Sequence, residues 1–185
     1  MNSFLIFLLT ALWCNPDLNQ ENRLPMRATF ETDCETLSLD GEWKFNGYHN
    51  PDSRQKAFYA ADFDDSAWGT MPVPGMWELN GYGDPVYVNV GFVWRGHFDN
   101  NPPEVPVKDN HVGSYRRTVT IPADWKGQQV IAHFGSVTSN MYLWVNGKFV
   151  GYSEDSKVAA EFDITKFVKP GDNLIAFQTF RWCDG

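Results

Sequence analysis

The chain has 185 residues, of which 43% are hydrophobic and 16% aromatic, including 8 Trp, 14 Phe and 7 Tyr. That is enough apolar material for one domain with a sizeable core, and it excludes disorder over most of the length. A formal net charge of −8, with no cluster of Lys and Arg, excludes the counterion-displacing surface that nucleic-acid binding needs.

The first segment, residues 1–12, is largely apolar, and the run Phe4 to Trp13 is too short for a bilayer, which takes about 20 residues. No membrane span is expected. The run has the length of a signal-peptide core, and Leu9-Thr10-Ala11 offers a cleavage site, but a positive leading region is missing. Export to the periplasm or the outside is one expectation, and a cytoplasmic protein with a buried arm is the other. Cys14, Cys34 and Cys183 are odd in number and widely spaced, which indicates neither a disulfide framework nor a zinc site.

Residues 13–36 are polar, carry Pro16 and Pro25, and show no sustained period, so they form an extended arm anchored by Leu24, Met26 and Phe30. The first strand runs from Leu37 to Phe45, with Leu37, Leu39, Trp43 and Phe45 on one face and Gly41 at a bulge or turn. Irregular chain follows, with one short helix expected near Ser53 to Tyr59. Pro85 to Val90 alternates again, and the prolines and glycines from Gly91 to Pro106 mark a long loop.

From Gly113 onward the pattern is regular. Gly113–Ile121, Gln129–Phe134, Asn140–Val145, Lys148–Tyr152, Phe162–Ile164 and Asn173–Arg181 are short strands closed by turns. Asn146-Gly147 predicts a type I′ hairpin, because that turn needs positive φ at both central residues. Leu174 to Phe180 reads as a half-buried strand whose exit is cut off, so the chain is expected to be the front piece of something longer. The fold class that results is all-β, a jelly-roll β-sandwich preceded by an extended arm.

No phosphate-cradling glycine loop and no Ser/His/Asp elbow occurs in the chain. His49, His97, His111 and His133 are scattered and read as surface or core filler. The neighbouring acids Asp64-Asp65 and Glu154-Asp155 point in different directions and are expected in solvated turns rather than as an acid/base pair. Trp77, Trp94 and Trp182 are candidates to stack on a sugar ring, against the commoner role of tryptophan in a core.

Several runs, in order, together resemble the N-terminal end of the β-galactosidases of glycoside hydrolase family 2. Among them are Asn22-Arg23-Leu24-Pro25, Leu39-Asp40-Gly41-Glu42-Trp43-Lys44-Phe45, Pro72-Val73-Pro74-Gly75-Met76-Trp77 and Tyr87-Val88-Asn89-Val90. Val150-Gly151-Tyr152-Ser153-Glu154-Asp155-Ser156 and Arg181-Trp182-Cys183-Asp184-Gly185 complete the resemblance. It implies that residues 37–185 are the sugar-binding, galactose-binding-domain-like jelly roll that precedes an immunoglobulin-like domain and a catalytic barrel.

The resemblance implies that Asn89 and Asp184 contact the galactosyl hydroxyls and that Asp184 ligates a sodium ion. Their chemistry suits both roles, an amide being donor and acceptor and a carboxylate a hard oxygen ligand, while an Asx turn and an Asp-Gly turn are the plainer readings. Retaining hydrolysis uses two carboxyls about 5–5.5 Å apart, and in the family these lie in the barrel together with the magnesium ligands. This chain is therefore expected to hold no catalytic residue and to be inactive alone. A galactoside is the implied substrate and a homo-oligomer the implied parent. The alternatives are a free-standing carbohydrate-binding module, or the same domain of a β-glucuronidase or β-mannosidase.

Overall fold

The computed structural model describes residues 12–26, 33–85 and 103–184. Among the described residues nine strands appear: β1 (Gln20–Glu21), β2 (Gly41–Tyr48), β3 (Gly69–Val73), β4 (Val112–Ile121) and β5 (Ile131–Phe134), then β6 (Asn140–Val145), β7 (Lys148–Glu154), β8 (Ala160–Asp163) and β9 (Gly171–Phe180). The described residues include no α-helix, only short 3₁₀ turns, so the chain is all-β as its alternating runs predict.

Seven strands make one antiparallel sheet in the order β1-β7-β6-β9-β4-β2-β3, and β5 pairs with β8 in a second. Between the two sheets lies a core that includes Trp43, Phe45, Tyr115, Leu143, Phe162 and Phe177. The β6–β7 hairpin closes through Asn146 and Gly147 at φ 51° and 77°, the pair of positive values that a type I′ turn needs. Asn146 also accepts the Leu174 N–H through Oδ1 at 2.9 Å, which ties the turn to the start of β9.

The strand from Leu174 to Phe180, expected to be half-buried, is covered on both faces. Behind the large sheet a second apolar cluster gathers Leu12, Trp13, Phe58, Trp68, Trp144 and Phe180. Two stretches of irregular chain supply that cover: the arm beginning at Leu12, and the segment around Phe58 to Trp68. Trp13 stacks on Phe180 with ring centroids 5.3 Å apart, and its backbone N–H donates to the Tyr142 hydroxyl at 2.9 Å.

The helix expected near Ser53 to Tyr59 is absent, and a 3₁₀ turn at Pro51–Ser53 stands before it. The end of this segment is tied to Arg116 instead. Its guanidinium donates to the carbonyls of Phe58 and Ala60 and, through Nε, to Asp65 at 2.6 Å. Phe58 is thereby held face-in against Trp68 and Trp144. The first predicted strand also begins later than its apolar residues suggest: β2 starts at Gly41, whose φ of +123° suits glycine alone, and Leu37 is exposed.

The arm is not merely draped on the surface. Its two-residue strand β1 pairs with Tyr152 and Ser153 of β7, and Leu24 N–H donates to the Glu161 carbonyl at 2.8 Å. Gly151 permits this approach, because a Cβ there would collide with the Glu21 carbonyl and the Phe162 ring. Phe30, the Val86–Val90 part of the predicted strand and most of the long loop lie outside the described residues.

Candidate functional site

The site forms where β9 ends. After Phe180 the chain leaves the sheet and is held by hydrogen bonds rather than by a strand partner. Arg181 N–H donates to the His111 carbonyl at 2.8 Å. Trp182 N–H donates to Asn110 Oδ1 at 2.9 Å, and Asn110 Nδ2 donates to the Trp182 carbonyl at 3.0 Å. The Cys183 thiol sits 3.6 Å from the Ser139 carbonyl. These contacts carry the chain to Asp184, a partly exposed residue whose Oδ1 atom is buried and accepts no hydrogen bond.

Facing Asp184 is Glu154, the last residue of β7. Beyond the bulge at Val150, strand alternation puts Tyr152 and Glu154 on one face, so Glu154 follows Tyr152 into the protein and is only 4% exposed. The Tyr152 hydroxyl donates to Glu154 Oε1. Asn140 Nδ2 donates to that hydroxyl at 3.2 Å, and Asn140 Oδ1 accepts the Phe180 N–H at 2.9 Å. The Glu154 backbone is pinned by the arm: its N–H donates to the Asn19 carbonyl at 3.0 Å, and its carbonyl accepts from Arg23 at 3.2 Å.

The electrostatics follow from burial. Loss of solvent pushes the Glu154 carboxyl up to about 7 against the hydrogen bond from Tyr152, with smaller raising effects from the charge of Asp184 and the hydrogen bond to it. Burial also raises Asp184, while its hydrogen bond with Glu154 acts in the opposite direction. Burial raises Tyr152 far above its ordinary value, so the phenol stays a neutral donor. Cys14 is raised by burial and then by Asp184, with Arg54 opposing.

Of the residues predicted from sequence, Asp184 stands at this site. Asn89 lies outside the described residues, as do Trp94 and His97. The described chain comes closest in sequence to Asn89 at Pro85, next to Asp84, whose carbonyl accepts from Arg181 Nη2 at 2.9 Å.

Trp77 is partly buried at the edge of the core. Its indole N–H donates to the Tyr115 hydroxyl at 2.5 Å, and its ring packs on Phe45. Trp182 is buried, with the Arg181 guanidinium 5.2 Å from its ring centroid. His49 and His111 meet edge to face at 5.5 Å, and His133 pairs with Glu161 at 3.0 Å, so neither pair joins Asp184.

Asp64 is the solvated turn residue expected, accepting the Ser66 N–H at 2.9 Å. Glu154 is not: the reading of Glu154-Asp155 as a solvated turn is corrected for its first member. The signal that points to it is the two-residue step from Tyr152. What it meets on the far side is thirty residues away in sequence.

A single oxygen-rich corner therefore presents one buried, donor-free carboxylate oxygen. Such an atom suits a sugar hydroxyl, which can donate to it, or a hard cation. Among the described residues no group of three or more His, Cys, Asp and Glu side chains could hold a metal ion.

Residues 36–185 match the family model described as "Glycosyl hydrolases family 2, sugar binding domain". A β-galactosidase of Priestia megaterium is 41% identical over 92% of this chain, which spans 18% of that protein's length. A β-galactosidase of Vibrio cholerae is 34% identical over the whole chain and 19% of its own length. Among solved structures, a β-glucuronidase from an uncultured Clostridium superposes with a TM-score of 0.58 at 21% identity, over 82% of this chain and 24% of that one, a likeness of fold. The chain thus spans less than a fifth of the curated relatives it matches.

Proposed function

The chain belongs to glycosyl hydrolase family 2, whose sugar-binding domain it carries, and from that premise we propose that it serves a β-galactosidase as the part that contacts the sugar. In this reading Asp184 accepts a galactosyl hydroxyl through its buried, donor-free Oδ1, and Asn89 supplies a second contact. The catalytic carboxylates come from the remainder of the parent protein, and hydrolysis proceeds with retention.

The observation that carries the reading is the orphaned Asp184 oxygen at the end of a run clamped by Asn110. A stability role alone does not account for a buried carboxylate atom that no donor reaches. The sequence relatives favour a galactoside over a glucuronide, because the proteins that match at 34–41% identity are named β-galactosidases. The β-glucuronidase likeness carries fold only.

A sodium ion is the further ligand proposed at Asp184. The buried oxygen is a hard donor of the right kind, and the rest of such an ion's ligands would be carbonyls, amides or sugar hydroxyls. Bound there, the ion would hold a hydroxyl in place electrostatically. Magnesium is proposed only for the remainder of the parent, and the parent is proposed to be a homo-oligomer.

Two measurements on the purified chain test the reading. A chromogenic β-galactoside should not be turned over, and calorimetric titration with galactose should show binding too weak to saturate at millimolar sugar, since most pocket contacts are missing. Micromolar affinity would identify a self-sufficient carbohydrate-binding module instead. Turnover lost on mutation of the chain's own acids would overturn the division of labour.

A further inference from the structure

We infer that Arg181 is a positioning residue of the sugar site, one that fastens the loop through Gly83 and Asp84 to the exit of β9 and so fixes the spacing of two segments far apart in sequence. The inference rests on the reading of Asp184 and Asn89 as the sugar contacts. It gives a role to a residue for which neither the resemblance nor the comparisons supply one.

Three observations carry it. Arg181 serves both segments at once: its backbone N–H donates to the His111 carbonyl at 2.8 Å, and its side-chain Nη2 donates to the Asp84 carbonyl at 2.9 Å. Its side chain also lies on a fixed platform. The guanidinium sits 5.2 Å from the centroid of the Trp182 ring, and Asn110 holds the Trp182 backbone by both its N–H and its carbonyl. The loop, in turn, is shaped to be held there. Gly83 has φ +73°, and a Cβ on it would stand 2.8 Å from His111 Nδ1, so the backbone before Asp84 runs against the His111 ring while the carbonyl of the same histidine takes Arg181. One residue earlier, the Tyr82 ring meets Phe45 edge to face at 4.6 Å and anchors the loop to the core.

Stability alone gives a weak reason for the bond from Arg181 to Asp84. The contact is exposed, and an exposed donor that exchanges water for a carbonyl gains little. What the bond sets is geometry. Along the sequence Asp84 stands five positions before Asn89, and Arg181 three before Asp184, so the bond ties together the stretches that lead to the two proposed contacts. A sugar that must meet groups from two segments pays less in ordering when their spacing is set beforehand. A guanidinium suits the task better than an ammonium, since its planar fork stacks on Trp182 and donates sideways in one conformation.

The test uses the isotopically labelled chain, first without sugar. Backbone nitrogen relaxation of Gly83 and Asp84 reads the tie, and in the unaltered chain both should show order parameters of about 0.85, the value of rigid backbone. Arg181→Met, which keeps an apolar stem and removes the donors, should bring them below about 0.6 while the Trp182 amide and the melting temperature hold. Arg181→Lys, which restores a donor, should recover part of the loss. Galactose is then titrated into each chain, and the shift of the Asp184 amide at a given sugar concentration should fall by about threefold or more in Arg181→Met.

High order parameters at Gly83 and Asp84 in Arg181→Met overturn the inference, as do low ones in the unaltered chain. A full galactose response in a loosened Arg181→Met also overturns it, leaving a tie without a part in binding, and so does loss of the fold in that variant. An unaltered chain that gives no response to galactose fails differently: it sinks the reading of Asp184, and the positioning role with it, even where the relaxation shows the tie.

Discussion

The Asn110 side chain closes two hydrogen bonds on the backbone of Trp182, accepting its N–H at 2.9 Å and donating to its carbonyl at 3.0 Å. A fully buried amide therefore does for the exit of β9 what a neighbouring strand does for its body. The two polar groups of Trp182 are satisfied away from water, and the run that ends at Asp184 keeps a defined path.

Asn110→Ala should leave both groups of Trp182 buried and unpaired. The expected loss of stability is on the order of 2–4 kcal/mol, from the cost of about 1–3 kcal/mol for each unsatisfied group less partial relaxation. Urea denaturation followed by tryptophan fluorescence measures it. An effect under half a kcal/mol would mean that water replaces the amide.

Trp13→Ala should cost about 3 kcal/mol, the lower part of the range for truncating a buried aromatic residue. Trp13 is on an arm that can peel away locally, but it is buried, stacked on Phe180 and bonded to Tyr142. Thermal unfolding of the variant beside the unaltered chain checks this. Peeling of the arm alone would instead leave the main transition in place and raise hydrogen exchange in β7.

The chain should lose stability as pH rises from about 5 to 7. The Glu154 carboxyl ionises near 7 in the folded chain against 4.5 for an ordinary glutamate, so between those values the folded state binds more protons than the unfolded one. The contribution is fully present below the ordinary value and is lost as pH passes through 7, with a slope of at most about 1.4 kcal/mol per pH unit. Denaturant midpoints in sodium-free buffer should show this slope, and Glu154→Gln should remove it. A rising slope in that window would contradict a raised Glu154 carboxyl.

Asp184→Ala should abolish whatever weak response the chain has to galactose while the fold is retained, because Asp184 belongs to neither apolar cluster. Amide shifts of Trp182 and Cys183 at high galactose, in sodium and then in potassium salt, are the readout. Equal shifts in the two salts would argue against a sodium ion at this residue.

Much of the architecture is legible in the sequence. The strands after Gly113 follow from alternation, and the hairpin at Asn146-Gly147 follows from the only backbone conformation that such a turn accepts. The run Arg181 to Gly185 pointed to Asp184 through the family resemblance. These are local properties, written in two- to ten-residue patterns, and local energetics is enough to read them.

What covers a face, and what a side chain meets across the fold, was decided only by tertiary structure. The same alternation that marks β9 cannot say that Trp13 and Phe58 will seal its outer side, because irregular chain carries no period. Nor can adjacency in sequence say that Glu154 turns inward while Asp155 stays out. Its neighbour Asp184 arrives by the pairing of β6 with both β7 and β9, which brings distant strand ends side by side. The sequence by itself determined the strands after Gly113, the hairpin and the family. Only the packed sheet brought a second carboxyl to Asp184, because proximity across strands is set by register and topology rather than by the residues on either side.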